Sequence, residues 1–429
     1  MKFVCGRSGQ SLIEVVVGLA IGAMLIGAAS FAISQTLQAN LSIQKSQSAV
    51  TMSQELLAKV RAYGLADWQN VYTLTKGSST QYFLHSSGTS YVPVLGKEGL
   101  LDTDVTNGLA GQWRFDEVET STSTTTYDAS GNGNDGTLTN SPVRSTSTCR
   151  IGNCLSFDGT NRYVNLGTLD FWGTGQQTFS AWIKPSSNAP SVRGFVFAHA
   201  GSPTNNRFYI IQMTTGNILF QGGDLSTYTI LQGVEYSAGD WIHIVVIRDY
   251  DSATLNAYVN GVQKITNQSA VFGSTSQYGN NIGAIAGSET FNGSIDDVRI
   301  YNRALSADEV TQLYKSNIFT RHFYVENACR TNDASSSISG VSPCESITPA
   351  SSLDPSTQKV TAVTEWPTRA STGRSALSDF LTRSRNVIFR QTDWSGGVDG
   401  GTVTAPAATF TTSTNVDSGS GGSIRIEGM

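Results

Sequence analysis

Residues 12–33 form an apolar run broken by a single charge, Glu14. A helix of that length, at about 1.5 Å per residue, crosses a hydrocarbon core about 30 Å thick. Ahead of the run lies a short basic stretch, residues 1–9, with Lys2 and Arg7. Beyond it the pattern narrows from apolar on all sides to one stripe. Ala49, Met52, Leu56, Val60 and Tyr63 recur three or four residues apart, and Gln, Ser and Lys fill the opposite face. The spacing predicts one helix over 10–65, ending near Gly64, its outer half laid on a sheet.

After the helix the apolar period shortens to two, with strand-like pieces at 71–75, 81–84 and 91–95 between Gly/Ser turns. These are too few to cover the helix. Alternation of the same kind returns at 319–326 and 359–366. Between them, 109–316 sets short β-branched and aromatic runs between Gly/Asn/Asp turns, the signature of a β-sandwich. Its clearest strands are 179–183, 195–199, 208–213, 217–221, 241–248 and 254–259. Asn260-Gly261 marks a hairpin, since both residues tolerate positive φ. Ser306-Ala307-Asp308-Glu309 is a capping box that starts a helix over 307–314. From 396 to 429 the chain is rich in Gly, Ser and Thr, either a linker or a source of edge strands at 402–405, 408–411 and 424–426. The expectation is an α+β protein: a leader at 1–9, a long helix, and an antiparallel head over 66–108 and 317–395. An all-β domain at 109–316 interrupts that head, because an exposed loop accepts an insertion whose ends lie close together. Three domains in a row is the alternative, and 317–395 alone would make a thin core.

With 28 Lys and Arg against 33 Asp and Glu, the formal charge is −5, or −7 without Lys2 and Arg7. Nothing in that balance attracts nucleic acid or anionic lipid. A charged fraction of only 14% suits an extracellular β-rich protein. Cys149 with Cys154 and Cys329 with Cys344 are close pairs, read as two disulfides of an oxidising compartment. Zinc is the alternative, but no histidine lies near either pair.

The junction Gly9-Gln10-Ser11-Leu12-Ile13-Glu14 resembles the type IV pilin and pseudopilin family. Secretory signals have their apolar core upstream of the cut; here the cut falls upstream of the apolar run, after Gly9. The resemblance implies that a prepilin peptidase cleaves after Gly9 and methylates Gln10. It also implies that Glu14, costly in hydrocarbon, pairs with the freed amine of a neighbouring subunit and sets the register of a helical filament. Gln10 stands where an aromatic is common, and Phe31 where many pilins have a helix-breaking proline. Gly18 and Gly22 would let helices approach closely. The subunit would cross the cytoplasmic membrane once before assembly and lie on the cell surface afterwards.

The block 109–316 resembles the laminin-G-like, concanavalin A-type jelly rolls through GQWRFDE at 111–117, DASGNGNDG at 128–136 and LSFDG at 155–159. FSAWIKP at 179–185, GDWIH at 239–243 and IDDVRIYNRALS at 295–306 complete the series in order. The resemblance implies a glycan- or protein-binding module and a Ca2+ ion held by hard oxygens, with Asp116, Asp128, Asn134 and Asp297 as ligands. Asx turns are the competing use of such residues. Trp172, Tyr209, Tyr228, Tyr236 and Tyr278 are candidates for stacking on sugar rings.

Catalysis is not expected. Glycoside hydrolysis needs facing carboxylates, whereas Glu235 and Glu289 are isolated. The four histidines lack metal spacing, His243 reads as a packed strand residue, and no phosphate-binding loop is present. The expectation is a type IV pilus subunit, a minor pilin or tip adhesin, displaying a lectin-like jelly roll towards an extracellular glycan or protein. The alternatives are a pseudopilin of a secretion system and a tethered carbohydrate-binding protein that never polymerises.

Overall fold

The computed structural model describes residues 12–383, apart from 88–89, 119–123, 170–174, 189, 201–206, 224–227, 271–278, 286–288, 332–337, 348–350 and 369–370. Gly9, Gln10 and the 396–429 tail therefore lie outside the described residues. Two compact units divide the chain; the first comprises 1–63, 75–324 and 361–378.

Helix α1, Leu12–Ala66, is 55 residues long. Its outer half buries Ala49, Ser53, Leu56 and Val60, spaced as one helical face. Ala49 packs with Phe319 and Trp366, and Ser53 Oγ donates to Thr364 Oγ1 at 2.7 Å. The sheet in contact has the order Ser90–Leu95, Tyr82–Ser87, Ile318–Arg330, Ser352–Pro367, Thr372–Thr382; of the last three strands, 318–324, 361–367 and 372–378 belong to this unit. Glu98–Leu101 also pairs with Ile318–Arg330, from Ile318↔Leu101 to Arg321↔Glu98. This sheet thus takes strands from both sides of the jelly roll.

Among the described residues the jelly roll forms two eight-stranded antiparallel sheets. One runs Val262–Ser269, Thr254–Val259, Ile242–Asp249, Gln176–Pro185, Asn292–Tyr301, Cys154–Asp158, Val143–Ser145, and Leu109–Trp113 also pairs with Asn292–Tyr301. The other runs Tyr228–Glu235, Asn217–Gly223, Arg207–Gln212, Gly194–Ala200, Gly279–Ile282, Tyr163–Thr168, Gly136–Thr139, Thr125–Thr126. Phe115, Phe157, Phe179, Phe197, Phe208, Phe220 and Phe291 fill the space between them. Along Gln176–Pro185, Phe179, Ala181 and Ile183 enter this core while Trp182 joins a second one on the outer face. There Val310 and Leu313 of α3, Ala307–Lys315, cover Val245, Ile247 and Tyr301. Two covered faces explain why Ile242–Asp249 is buried almost throughout and runs apolar from 244 to 247 instead of alternating. The capping box of α3 is present, with Glu309 N donating to Ser306 Oγ at 3.2 Å and Ser306 N to Glu309 Oε2 at 2.8 Å. Asn260 and Gly261 have φ of 52° and 76°, as the hairpin requires.

The second unit comprises 64–74, 325–360 and 379 onward. In it Ile338–Val341 pairs with the end of Ile318–Arg330, at Ala328↔Val341 and Cys329↔Gly340. Cys329 and Cys344 are disulfide-bonded, as are Cys149 and Cys154 in the first unit. Residues 71–75 correct the strand expectation: Val71 lies in a short helix, α2, Gln69–Tyr72. Asp67 Oδ1 accepts from Gln69 N at 2.9 Å and turns the chain before an extended run can begin.

Candidate functional site

Two regions carry functional features: the inner half of α1 and the junction where the jelly roll meets the sheet within the first unit. Glu14 stands in the first turn of α1 and is exposed. After it, Val15, Leu19, Met24, Leu25, Ile26 and Phe31 are each about half exposed or more, from 48% at Val15 to 74% at Met24. The helix is long and apolar enough to cross a membrane. Leaving such a surface in water costs about 25 cal/mol per Å², so these side chains call for hydrocarbon or other helices around them.

At the junction, charged side chains bridged once by the neutral Gln112 form a continuous hydrogen-bonded chain. Arg321 donates to Glu55 of α1 at 3.2 Å and, through Nε, to Glu98 Oε2 at 2.6 Å. The other Glu98 oxygen accepts from Arg114 at the entry of the jelly roll. Arg114 reaches Gln112 Oε1 at 3.3 Å, and Gln112 Nε2 donates to Asp297 Oδ1 at 2.8 Å. Asp297 Oδ2 accepts from Arg299 Nε at 2.9 Å, and Arg299 also binds Asp104. Burial alone would raise the Glu98 carboxyl, but the Arg321 and Arg114 charges outweigh it and hold the group at about 2. Arg299 is raised in turn: Asp297 and Asp104 overcome the burial that would lower it.

Beside this chain the disulfide loop 149–154 is held by two buried acids. Asp296 Oδ2 accepts from Arg150 N and Ile151 N at 3.0 and 2.8 Å. Asp116 accepts from Asn153 N at 2.9 Å and from Gly99 N of the sheet at 2.6 Å. Burial raises both carboxyls well above the ordinary range. Trp241 Nε1 donates to Thr148 O at 2.8 Å, and the Arg150 guanidinium lies 4.2 Å from the Trp182 ring centre.

Each residue expected to bind calcium already has partners. Asp128 Oδ1 accepts from Gln112 N and Ser130 N at 2.8 and 2.9 Å, and its Oδ2 accepts from Asn134 N at 2.9 Å. Asn134 Nδ2 donates to Ala110 O at 2.8 Å, and the Asn134 backbone carbonyl accepts from Trp113 Nε1 at 2.8 Å. The first and last strands do lie side by side, with Val298 opposite Trp113. Yet Asp116 faces the disulfide loop while Asp297 faces Arg299. Among the described residues no three acidic, histidine or cysteine side chains gather as a metal site. In this arrangement the four residues do not fit a calcium cage, which needs six to eight converging oxygens.

Comparison with known proteins decides what these parts are. Residues 5–30 match the family described as the prokaryotic N-terminal methylation motif, and residues 158–311 match the concanavalin A-like lectin/glucanases superfamily. The chain joins a prepilin-type N-terminus to a lectin-type jelly roll. No curated protein matches the sequence. Among solved structures, domain 4 of AbnA, a GH43 extracellular arabinanase from Geobacillus stearothermophilus in complex with arabinotriose, is 23% identical, covering 48% of this chain and 98% of that one with a TM-score of 0.40. Trypanosoma rangeli sialidase in complex with sialic acid is 16% identical, covering 49% of this chain and 33% of that one with a TM-score of 0.39.

The aromatic candidates divide. Tyr209 is buried, edge-on to Phe195, 5.1 Å between ring centres. Tyr236 Oη donates to Ser187 O at 2.8 Å. The side chains of Trp172, Tyr228 and Tyr278 lie outside the described ones. His243 is buried, 2.9 Å from Ser180 Oγ and 4.9 Å between ring centres from Trp182, and burial, then the Arg299 and Arg150 charges, push it down to about 3. Glu235 ends a strand, and Glu289 pairs with Arg193 at 2.9 Å. Sequence reasoning missed Glu55, Glu98, Arg114 and Arg321. The available signal was isolated charges within or beside apolar helix and strand patterns, in a chain with only 14% charged residues.

Proposed function

We propose that this protein is a subunit of a type IV pilus, a minor pilin or tip adhesin, that carries its lectin-type jelly roll to the cell surface. The observation that carries the reading is the methylation motif at 5–30 running directly into a helix whose inner half is apolar on all sides. In this reading a prepilin peptidase cuts after Gly9 and methylates Gln10. The helix rests in the cytoplasmic membrane, then packs among the helices of other subunits in an extracellular filament. Glu14 neutralises the amine of a neighbouring subunit, since an unpaired charge among apolar helices is costly. The jelly roll, interrupting the sheet that covers the helix, contacts a surface glycan or protein and performs no catalysis.

The bulk of the 109–316 block would crowd a fibre if every subunit carried it, which favours sparse or terminal placement. Filaments labelled with an antibody to this block are expected to show label at tips or rare points; uniform decoration would refute the minor-subunit reading. Deleting the gene is expected to impair adhesion. A block in protein export with adhesion intact would assign the chain to a secretion pseudopilus instead.

A further inference from the structure

We infer that the outer face of the jelly-roll sheet beside α3 is a binding groove for a neutral oligosaccharide. The inference rests on the adhesin reading and gives it a site. Two adjoining clefts, of about 560 and 640 Å³, share Gln176, Asp249 and Ser252 and so form one furrow. One end is lined by Asn256 and Asn267, the other by Asp251, Asn302 and Arg303. Ile247, Tyr258 and Leu305 form a floor that is itself buried, beneath a lining that mixes polar side chains with Ala304 and Ala307.

The chemistry of that lining selects the ligand. Gln176 Nε2 donates to Asp249 Oδ2 at 2.9 Å, and Ser252 and Thr254 hydroxyls meet at 2.7 Å. Asn256 Nδ2 donates to Asn267 Oδ1 at 3.2 Å, while Gln263 Nε2 donates to Asn256 Oδ1 at 3.1 Å. Paired amides and hydroxyls hold one another in place and still offer free donor and acceptor positions. A sugar hydroxyl, which both donates and accepts, bridges such pairs. Acidic sugars are disfavoured, because Asp249 and Asp251 lie in the furrow and Arg303 is committed to both oxygens of Glu309, at 2.9 and 2.6 Å.

The test uses the full chain in detergent against immobilised maltotriose, xylotriose, cellotriose and arabinotriose, with sialyllactose and trigalacturonate as acidic probes. At least one neutral trisaccharide is expected to bind, the acidic ones not. Each lost hydrogen bond is worth roughly a factor of ten in affinity, so Gln176→Ala and the double variant Asn256→Ala/Asn267→Ala should each weaken binding about tenfold or more. Glu235→Ala, on the other sheet, should leave it unchanged. Neutral-sugar binding that survives the groove variants overturns this site and leaves the adhesin reading standing. Preference for the acidic probes overturns the ligand class, and binding of no sugar removes the glycan arm of that reading as well.

Discussion

At the residue scale, Glu98 is the side chain on which the junction turns. It takes one hydrogen bond from Arg321 and one from Arg114, and all three are largely out of water. Removing one partner of a buried pair leaves the other charge unsatisfied, typically at a cost of 3–5 kcal/mol. Glu98→Gln is therefore expected to destabilise the full chain by about 3 kcal/mol, read by thermal or denaturant unfolding in detergent. The pH dependence follows from the depressed carboxyl, about 2 in the folded chain against an ordinary 4.5. A depressed carboxyl stabilises fully above its unfolded value, and the contribution is lost as pH falls through the folded value. The gap between wild type and Glu98→Gln should be full above pH 4.5 and shrink towards pH 2. A gap constant over that window would mean the ion pairs contribute nothing. The sequence could not reveal these pairs: Glu98 and Arg321 lie 223 positions apart, and only the pairing of Glu98–Leu101 with Ile318–Arg330 brings them together.

At the element scale, the close cysteine pairs, the Asn260-Gly261 turn and the capping box were legible because each is set by residues near in sequence. The strand expected at 71–75 failed for the converse reason. A local Asx turn at Asp67 outweighed a short β-branched run, and Val71 is buried as a helical residue instead. The calcium expectation rested on the jelly-roll resemblance, and a resemblance does not tell an oxygen aimed at a cation from one accepting backbone N–H groups, as Asp116 and Asp128 do here. The disulfides make separable predictions, since chain-entropy stabilisation grows with the span closed. Cys329 and Cys344 lie 15 apart in sequence, Cys149 and Cys154 only 5. Their serine pairs should cost about 3 and 2 kcal/mol respectively on that model. The shorter loop also holds Arg150 over Trp182 and presents its backbone to Asp116 and Asp296. A loss at Cys149→Ser/Cys154→Ser well above 2 kcal/mol, measured by chemical denaturation, would show that the staple orders those contacts as well as closing the loop.

At the scale of the whole molecule, the first unit joins parts that sequence separates widely: the outer half of α1, the sheet and the jelly roll. A jelly roll with a full core of its own could melt independently of its neighbour. Here, however, the charge chain from Glu55 to Asp104 runs through both, Gly99 N of the sheet donates to Asp116, and Asn317 N donates to Asp102 Oδ1 at 2.9 Å. Coupling of several kcal/mol, in units of about 1.5–3 kcal/mol per charged hydrogen bond, is enough to make neighbouring cores unfold together. Calorimetry of the full chain should therefore show the jelly roll and its sheet melting in one transition. Glu98→Gln combined with Asp116→Asn removes links on both sides of Glu98–Leu101 and should split that transition in two. Two transitions already present in the wild type would show that the chain of charges, although continuous, does not bind the parts into one cooperative body.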